Sequence, residues 1–294
     1  YIGYTPLKIK VNKSEIKNII LDSSNVLLDD VVVVGYGTQK KINLTGSVQS
    51  VNSEDILRRS VSTGSAALQG VIPGLTAIQS SGQPGADNAS IKIRGLGSLN
   101  SATSPLILID GVEGDMNRID LNSVESITVL KDAASASIYG SRASNGVILV
   151  TTKRGSEGKV KLTFNGYMGY NKPTTLPTPT NAIEYMQAVD VARVNASQEP
   201  LYTQTIDIYK NGGVDNINYY DTDWRKEVIK DYATTQNYSV SISGGNNITK
   251  HFATAGYYAQ NGLIDNNKFT RTSLRVNTDT QINKWMKLGV DIGI

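Results

Sequence analysis

Val124-Glu125-Ser126-Ile127-Thr128-Val129-Leu130-Lys131-Asp132, and after a small-residue segment Gly146-Val147-Ile148-Leu149-Val150-Thr151-Thr152, decide how this chain folds. Both runs are short, rich in β-branched residues and bounded by turn formers, so both read as strands. Between them Asp132 reads as the cap of a helix over Ala133–Tyr139, and Gly140 as its end. Working outward, Pro105–Ile109 is a further strand closed by an Asp110-Gly111 turn. Leu75–Gln79, Ser90–Arg94 and Gly46–Val51 add strands. Ser53–Leu57 reads as an N-capped short helix with an acidic first turn, and Ser65–Gln69 as another, stopped near Gly70 and Pro73. Continuous apolar runs such as Leu106–Ile109 predict strands buried on both faces. The expectation is an α+β unit: a small mixed sheet with short helices.

After Gly158 the pattern changes. Val160, Leu162, Phe164, Met168 and Tyr170 are apolar, with Lys159, Lys161, Thr163 and Asn165 between them. The same alternation runs through Tyr238, Val240 and Ile242, through Leu274 and Val276, and through Met286, Leu288, Val290, Ile292 and Ile294. His251–Gln260 fits less well, because its Ala253, Ala255 and Tyr257 face is weakly apolar. A soluble sheet with one wet face gives this alternation; so does an outer-membrane barrel, whose tilted strands need about 9–11 residues. The connections favour the barrel. Gly244–Asn247 and Ile282–Trp285 are tight turns, whereas the link from Pro173 to Ala233 is long. That link carries its own helices, with a capping box at Asn181-Ala182-Ile183-Glu184. Ile183, Met186 and Val189 form one packing stripe, and Tyr202, Ile206 and Tyr209 another.

Upstream of both units stands Asp29-Asp30-Val31-Val32-Val33-Val34-Gly35-Tyr36-Gly37-Thr38. Four consecutive valines favour extended backbone. Isolated between folded units, such a segment suits strand addition to the exposed sheet edge of another protein. An ordinary buried strand is the competing reading.

Composition bounds the rest. The chain has 294 residues, room for one large or two ordinary domains, and reads as a fragment. Its 39% apolar content includes no run near the ~18 residues of a spanning helix. The net charge of +3, without a basic patch interleaved with aromatics, argues against nucleic acid. Absence of cysteine removes disulfides and thiolate metal sites. Fifteen tyrosines, most of them after residue 160, suit half-wet surfaces such as membrane interfaces and sugar-binding faces, though β-rich chains use tyrosine anyway. His251 is the only histidine, and no nucleophile elbow accompanies it. Asp215, Asp221 and Asp223 lack calcium-loop spacing. No enzyme activity, metal or cofactor is expected.

Taken together, the valine segment, Ile93–Asn100, Pro105–Gly111 and Val124–Ile148 resemble the SusC/RagA-type TonB-dependent outer-membrane transporters of Bacteroidetes. Asp223-Trp224-Arg225, Ser241–Gly245 and Arg275-Val276-Asn277 match that family more loosely, and Tyr1–Val11 resembles the end of a carboxypeptidase-regulatory-like β domain. The resemblance implies such a domain end and linker at 1–28 and a TonB box at 29–41. A plug at 42–155 follows, and 156–294 supplies the first five strands of a transmembrane barrel, with a long extracellular loop near 173–233. Family barrels have about 22 strands with a plugged lumen.

The resemblance also implies roles. Asp30, Val31, Val32, Val33, Val34, Gly35 and Tyr36 would pair with periplasmic TonB. Arg94, Gly95, Gly97, Asp110, Gly111 and Arg142 would shape the plug, the two arginines meeting acids such as Glu125 or Asp132 or acids of the barrel wall. Asn100, Ser101, Thr103 and Ser104 in a plug loop, with Tyr202, Tyr219, Tyr220 and Trp224 in the long loop, are candidate substrate contacts. The implied activity is energy-coupled import of a glycan, oligosaccharide or peptide across the bacterial outer membrane. Implied partners are TonB, a SusD-like surface lipoprotein and outer-membrane lipid. A non-transporting adhesin or a signal-transducing receptor is the alternative.

Overall fold

The computed structural model describes residues 31–34, 37–40, 48–95, 104–132, 136–211 and 220–294. In chain order, β1 (Val31–Val34) and β2 (Gly37–Lys40) come first. They pair antiparallel, Val31 opposite Lys40 and Val34 opposite Gly37. The valine segment is therefore not an isolated extended peptide: it is already engaged along one edge. Then follow β3 (Val48–Asn52), β4 (Leu75–Gln79), β5 (Ala89–Ile93), β6 (Leu106–Ile109), β7 (Val112–Glu113), β8 (Val124–Leu130) and β9 (Val147–Thr152).

Five of these form one mixed sheet in the order β3-β8-β9-β6-β7, while β4 and β5 pair separately. β9 runs parallel to β6 and antiparallel to β8. Its central position explains its sequence: Val147, Ile148, Leu149 and Val150 are all buried, because neighbours cover both faces. One side packs on Ile56, Leu68, Met116 and Ile127; the other packs on Leu106, Ala136 and Ala143. The β6–β7 turn places Asp110 at φ 49° and Gly111 at φ 88°. Two positive φ angles make a primed hairpin turn, which an Asp-Gly pair accommodates at low steric cost.

Two helix expectations need correction. The segment expected as a helix over Ala133–Tyr139 and ended by Gly140 is different: residues 133–135 lie outside the described residues, and Ser137–Ala143 is a 3-10 segment kinked at Gly140. Gly140 bends this segment instead of ending it. Ser53 is the first residue of helix Ser53–Leu57, not its cap; Asn52 holds the cap position without a side-chain bond. Asn52 is still paired with Ser126 as the last residue of β3, so sheet pairing sets where the helix starts.

The second sheet is a curved wall of five antiparallel strands in sequence order. They are β10 (Gly158–Asn171), β11 (Ala233–Gly245), β12 (Thr249–Asn261), β13 (Lys268–Asn283) and β14 (Met286–Gly293). Among the described residues neither β10 nor β14 gains a further partner, so the wall is an unclosed portion of a barrel. Short turns join β11 to β12 and β13 to β14, whereas residues 172–232 form the long connection. That connection contains helices Ala182–Asn195, Thr203–Lys210 and Trp224–Val228. The capping box is present: Glu184 N donates to Asn181 Oδ1 at 2.7 Å, and Asn181 N to Glu184 Oε2 at 3.1 Å. Met186 and Ile206, from the two packing stripes, are buried.

The wall's two faces differ as the alternation requires. Val160, Leu162 and Phe164 are 65–69% exposed, and Tyr238, Val240, Leu274, Leu288 and Ile292 also point away from the first sheet. Register aligns these rows, for example Val240 with Ala255 and Val276 with Ile292. β12 is the exception in composition. It turns Ala253, Ala255 and Tyr257 outward and buries Phe252 and Tyr258 beneath the first sheet. Its large apolar side chains have a protein partner on the inner side, which is why its outer face reads weakly. Among the described residues no helix is long and apolar enough to cross a membrane.

Candidate functional site

The first sheet is fastened to the wall by a charged clasp near the wall's short-turn end. Asp110, held in the β6–β7 turn, is almost fully buried. Thr152 donates to it twice, from N to Oδ1 at 2.9 Å and from Oγ1 to Oδ2 at 2.6 Å. From the wall, Arg275 Nη1 reaches Asp110 Oδ2 at 3.1 Å. Asn277 Nδ2 donates to Thr152 Oγ1 and to the Lys153 carbonyl, both at 2.8 Å. Arg154, in the connector between the two sheets, donates from Nη2 to Asp291 Oδ2 at 2.7 Å. It also lies 3.6 Å from Asp110 and 3.8 Å from Asp279. Lys287 lies 3.3 Å from Asp279. Three cations thus face three carboxylates. Burial alone would disfavour the Arg154 charge, but the bond and charge of Asp291, with Asp110 and Asp279, hold its guanidinium above its ordinary range.

Two more seams run along the wall. Asp120 accepts from Asn122 N and Nδ2, both at 3.0 Å, and from Ser239 Oγ of β11 at 3.0 Å. Gly256 of β12 makes room for this: a Cβ there would sit 2.7 Å from Asp120 Oδ2. Gly155 passes so close to β12 that a Cβ would meet His251 N at 2.3 Å. Arg271 donates to the Asn117 carbonyl at 2.7 Å and to that of Ser62 at 3.3 Å, while its guanidinium lies 5.4 Å from the Tyr258 ring centroid. Much of the sheet–wall contact is therefore polar.

A cleft of about 540 Å³ opens between sheet and wall towards the long-connection end. Ser62, Gln79, Gln83 and Asp87 line it from the sheet side, and Tyr167, Asn171, Tyr258 and Gln260 from the wall. Ser62 Oγ donates to Asp87, and Tyr258 OH donates to Gln260 Oε1 at 3.0 Å. Val61, Leu263 and Ile264 add apolar surface, so the cleft suits a ligand that carries both polar groups and apolar faces.

The residues singled out from sequence distribute unevenly. Arg94 pairs with Asp132 at 2.5 Å and Arg142 with Glu113 at 2.6 Å; both pairs lie within the first sheet's unit and neither reaches the wall. Gly95 follows Arg94 at φ 91°. Among the described residues of that set, Asp110 bonds the wall through Arg275. Val31, Val32, Val33 and Val34 form β1. Asp30, Gly35, Tyr36, Gly97, Asn100, Ser101, Thr103 and Tyr219 lie outside the described residues. Ser104 is exposed, and its carbonyl accepts from Asn145 Nδ2 at 3.5 Å. Tyr202 N donates to Asp190 Oδ1 at 2.9 Å, the Tyr220 carbonyl accepts from Tyr209 OH at 3.0 Å, and Trp224 opens its helix largely exposed. None of these four lines the cleft. Sequence reading missed Arg154, Asp120, Asp291 and the roles of Arg271, Arg275, Asn277 and Asp279. The last four sit on one face of β13 at period two, which was the available signal.

A mixed sheet held by a polar clasp inside a curved antiparallel wall defines the plug-and-barrel architecture of a TonB-dependent receptor. The family described as TonB-dependent Receptor Plug Domain matches residues 40–147. A TonB-dependent receptor of Formosa agariphila is 34% identical over 98% of this chain and 29% of its own length. The TonB-dependent receptor SusC of Bacteroides thetaiotaomicron is 32% identical over 94% and 27%. The RagAB peptide importer in its 'open-open' state superposes with a TM-score of 0.76 at 31% identity, covering 90% of this chain and 32% of that one. The chain spans under a third of the length of these relatives. Within the class, these matches support a SusC/RagA-type receptor fragment.

Proposed function

We propose that this chain is the energy-coupled gate of an importer that carries a glycan, oligosaccharide or peptide across the bacterial outer membrane. The plug, 42–155, fills the lumen of a barrel begun by 156–294, and the 29–41 segment hangs into the periplasm. There the free edge of β1 adds a strand to TonB, which draws on inner-membrane energy. The observation that carries this reading is the order of parts: an edge-forming valine strand, then a sheet, then bonds from that sheet to a wall with an apolar outer face. Backbone pairing along β1 resists a pull. Load passing into the plug meets the clasp, whose bonds yield one at a time. Substrate enters from the long-loop side, where the cleft of Tyr167, Tyr258 and Gln260 receives it. A SusD-like lipoprotein covering that side fits the relationship to SusC and RagAB.

The test is Val33→Pro in the full-length receptor. Val34 and Gly37 flank a two-residue turn as a hydrogen-bonded pair, so the N–H groups of Val34 and Val32 face β2, whereas those of Val33 and Val31 face the other edge. Val33→Pro removes an edge-facing backbone donor and blocks strand addition. Uptake of radiolabelled substrate should be lost while surface binding persists, and Val33→Ala should retain both. Uptake by Val33→Pro at the wild-type rate would rule out the coupling role of this segment.

A further inference from the structure

A second cleft, of about 1230 Å³, lies at the long-connection end of the wall; it adjoins the first at Ala233, Asn261, Gly262, Ile264 and Asn267 and extends over the wall's outer side past Lys172 and Lys268. Its floor continues the outward rows. Lys172 follows Tyr170; Asn261 and Lys268 face each other across β12 and β13. Asn261 Nδ2 donates to Thr234 Oγ1 at 2.7 Å, so both side chains stand on that side. Tyr232 meets the outward Tyr170 edge-on, centroids 5.5 Å apart at 81°. Over this floor lean Arg225, Lys226 and Lys230, with Ile229 among them.

Charge and position point the same way. Five cations line the cleft against one acid, Asp231. Arg225 and Lys226 approach Asp223, and Lys230 pairs with Asp265. Lys172 and Lys268 have no ion pair among the described residues. Below them the same face is apolar through Met168, Phe164, Leu162 and Val160. Along a strand that band rises about 3.3 Å per residue. An apolar band, then a tyrosine pair, then lysines is the order met on leaving a bilayer core for its headgroups.

We propose that this cleft seats the phosphate-bearing headgroup of a glycolipid in the outer leaflet. The lysines take the phosphate, and the acyl chains lie along the band beneath. The assignment rests on reading the wall as membrane-embedded. It does not depend on which nutrient is carried.

The experiment uses delipidated full-length receptor and a diphosphorylated disaccharide lipid in mixed micelles. The double variant Lys172→Gln/Lys268→Gln should bind that lipid roughly tenfold or more weakly than wild type, as expected for cations lost beside an anionic surface. The remote control Lys210→Gln should match wild type. Dephosphorylated lipid should bind both receptors equally, and inorganic phosphate should not compete. Equal lipid binding by wild type and double variant would overturn the proposal, as would competition by inorganic phosphate at the lipid's own concentration. Unchanged lipid binding with weakened capture of the partner lipoprotein would assign the cleft to a protein contact instead, and also overturn it. Heat-modifiable electrophoretic mobility reports whether the barrel has formed. A null result on a formed, importing receptor counts against the cleft alone.

Discussion

Asp110 and Arg275 are 165 residues apart in sequence, yet meet at 3.1 Å, and their side chains are only 6% and 15% exposed. One belongs to a two-residue turn of the plug and the other to the inner face of β13. Together they join the first sheet to the wall.

Removing one partner leaves the other charged and buried. Asp110→Asn should lower stability by about 3–5 kcal/mol, the scale for breaking a buried pair. The double variant Asp110→Asn/Arg275→Gln should lose less than the sum of the single losses. Scanning calorimetry of the full-length receptor, with limited proteolysis of the plug, reads both effects. Strict additivity would mean the two groups do not interact energetically.

Gly256→Ala places a methyl group 2.7 Å from Asp120 Oδ2 and 2.8 Å from Ser273 Oγ. The carboxylate must move, and with it the bond from Ser239. Overpacking of this kind costs about 1–3 kcal/mol. Asp120→Ala introduced into Gly256→Ala should relieve the carboxylate part of the clash and leave that with Ser273 Oγ, so thermal midpoints of the four-member cycle should show partial rescue. A Gly256→Ala receptor as stable as wild type would mean the wall yields at that point.

Lys131 answers to pH. Burial, then the nearby Arg94 charge, lower its pKa below 10.5, and Asp132 offsets part of this. The folded state therefore binds this proton less tightly than the unfolded state. Stability from this site rises with pH through the alkaline window between the lowered value and 10.5, and is lost as pH falls below that window. The difference between wild type and Lys131→Met in denaturant midpoint should shift in favour of wild type between pH 8 and pH 10. A constant difference would show that the lysine is equally solvated in both states.

The alternating rows were legible because each depends on a period within one strand. Val160, Leu162 and Phe164 expose the same face that their spacing predicted. The Asn181–Glu184 box was legible for the same reason, being closed within four residues. The Arg94–Asp132 pair was among the partners considered, whereas Glu113 as the partner of Arg142 was not. The clasp was not legible as a unit. Arg154 and Asp291 are 137 residues apart, and local pattern says nothing about which inward side chain of β14 the connector will reach. β12 misleads for a related reason, since Phe252 and Tyr258 are buried on the inner side and the outer row keeps two alanines beside Tyr257.

The hairpin of β1 and β2 adds a mechanical consequence. Val31 lies opposite Lys40, so a tug that grips β1 and is resisted beyond Lys40 peels the second strand from its open end. Bonds loaded in that geometry part in turn and under little tension. Freed, the four residues Gly37–Lys40 supply about 13 Å of slack at ordinary strand rise before any strain is felt by the sheet behind them. A force–extension trace of the tethered receptor would register this as a short compliant step ahead of the first stiff rupture.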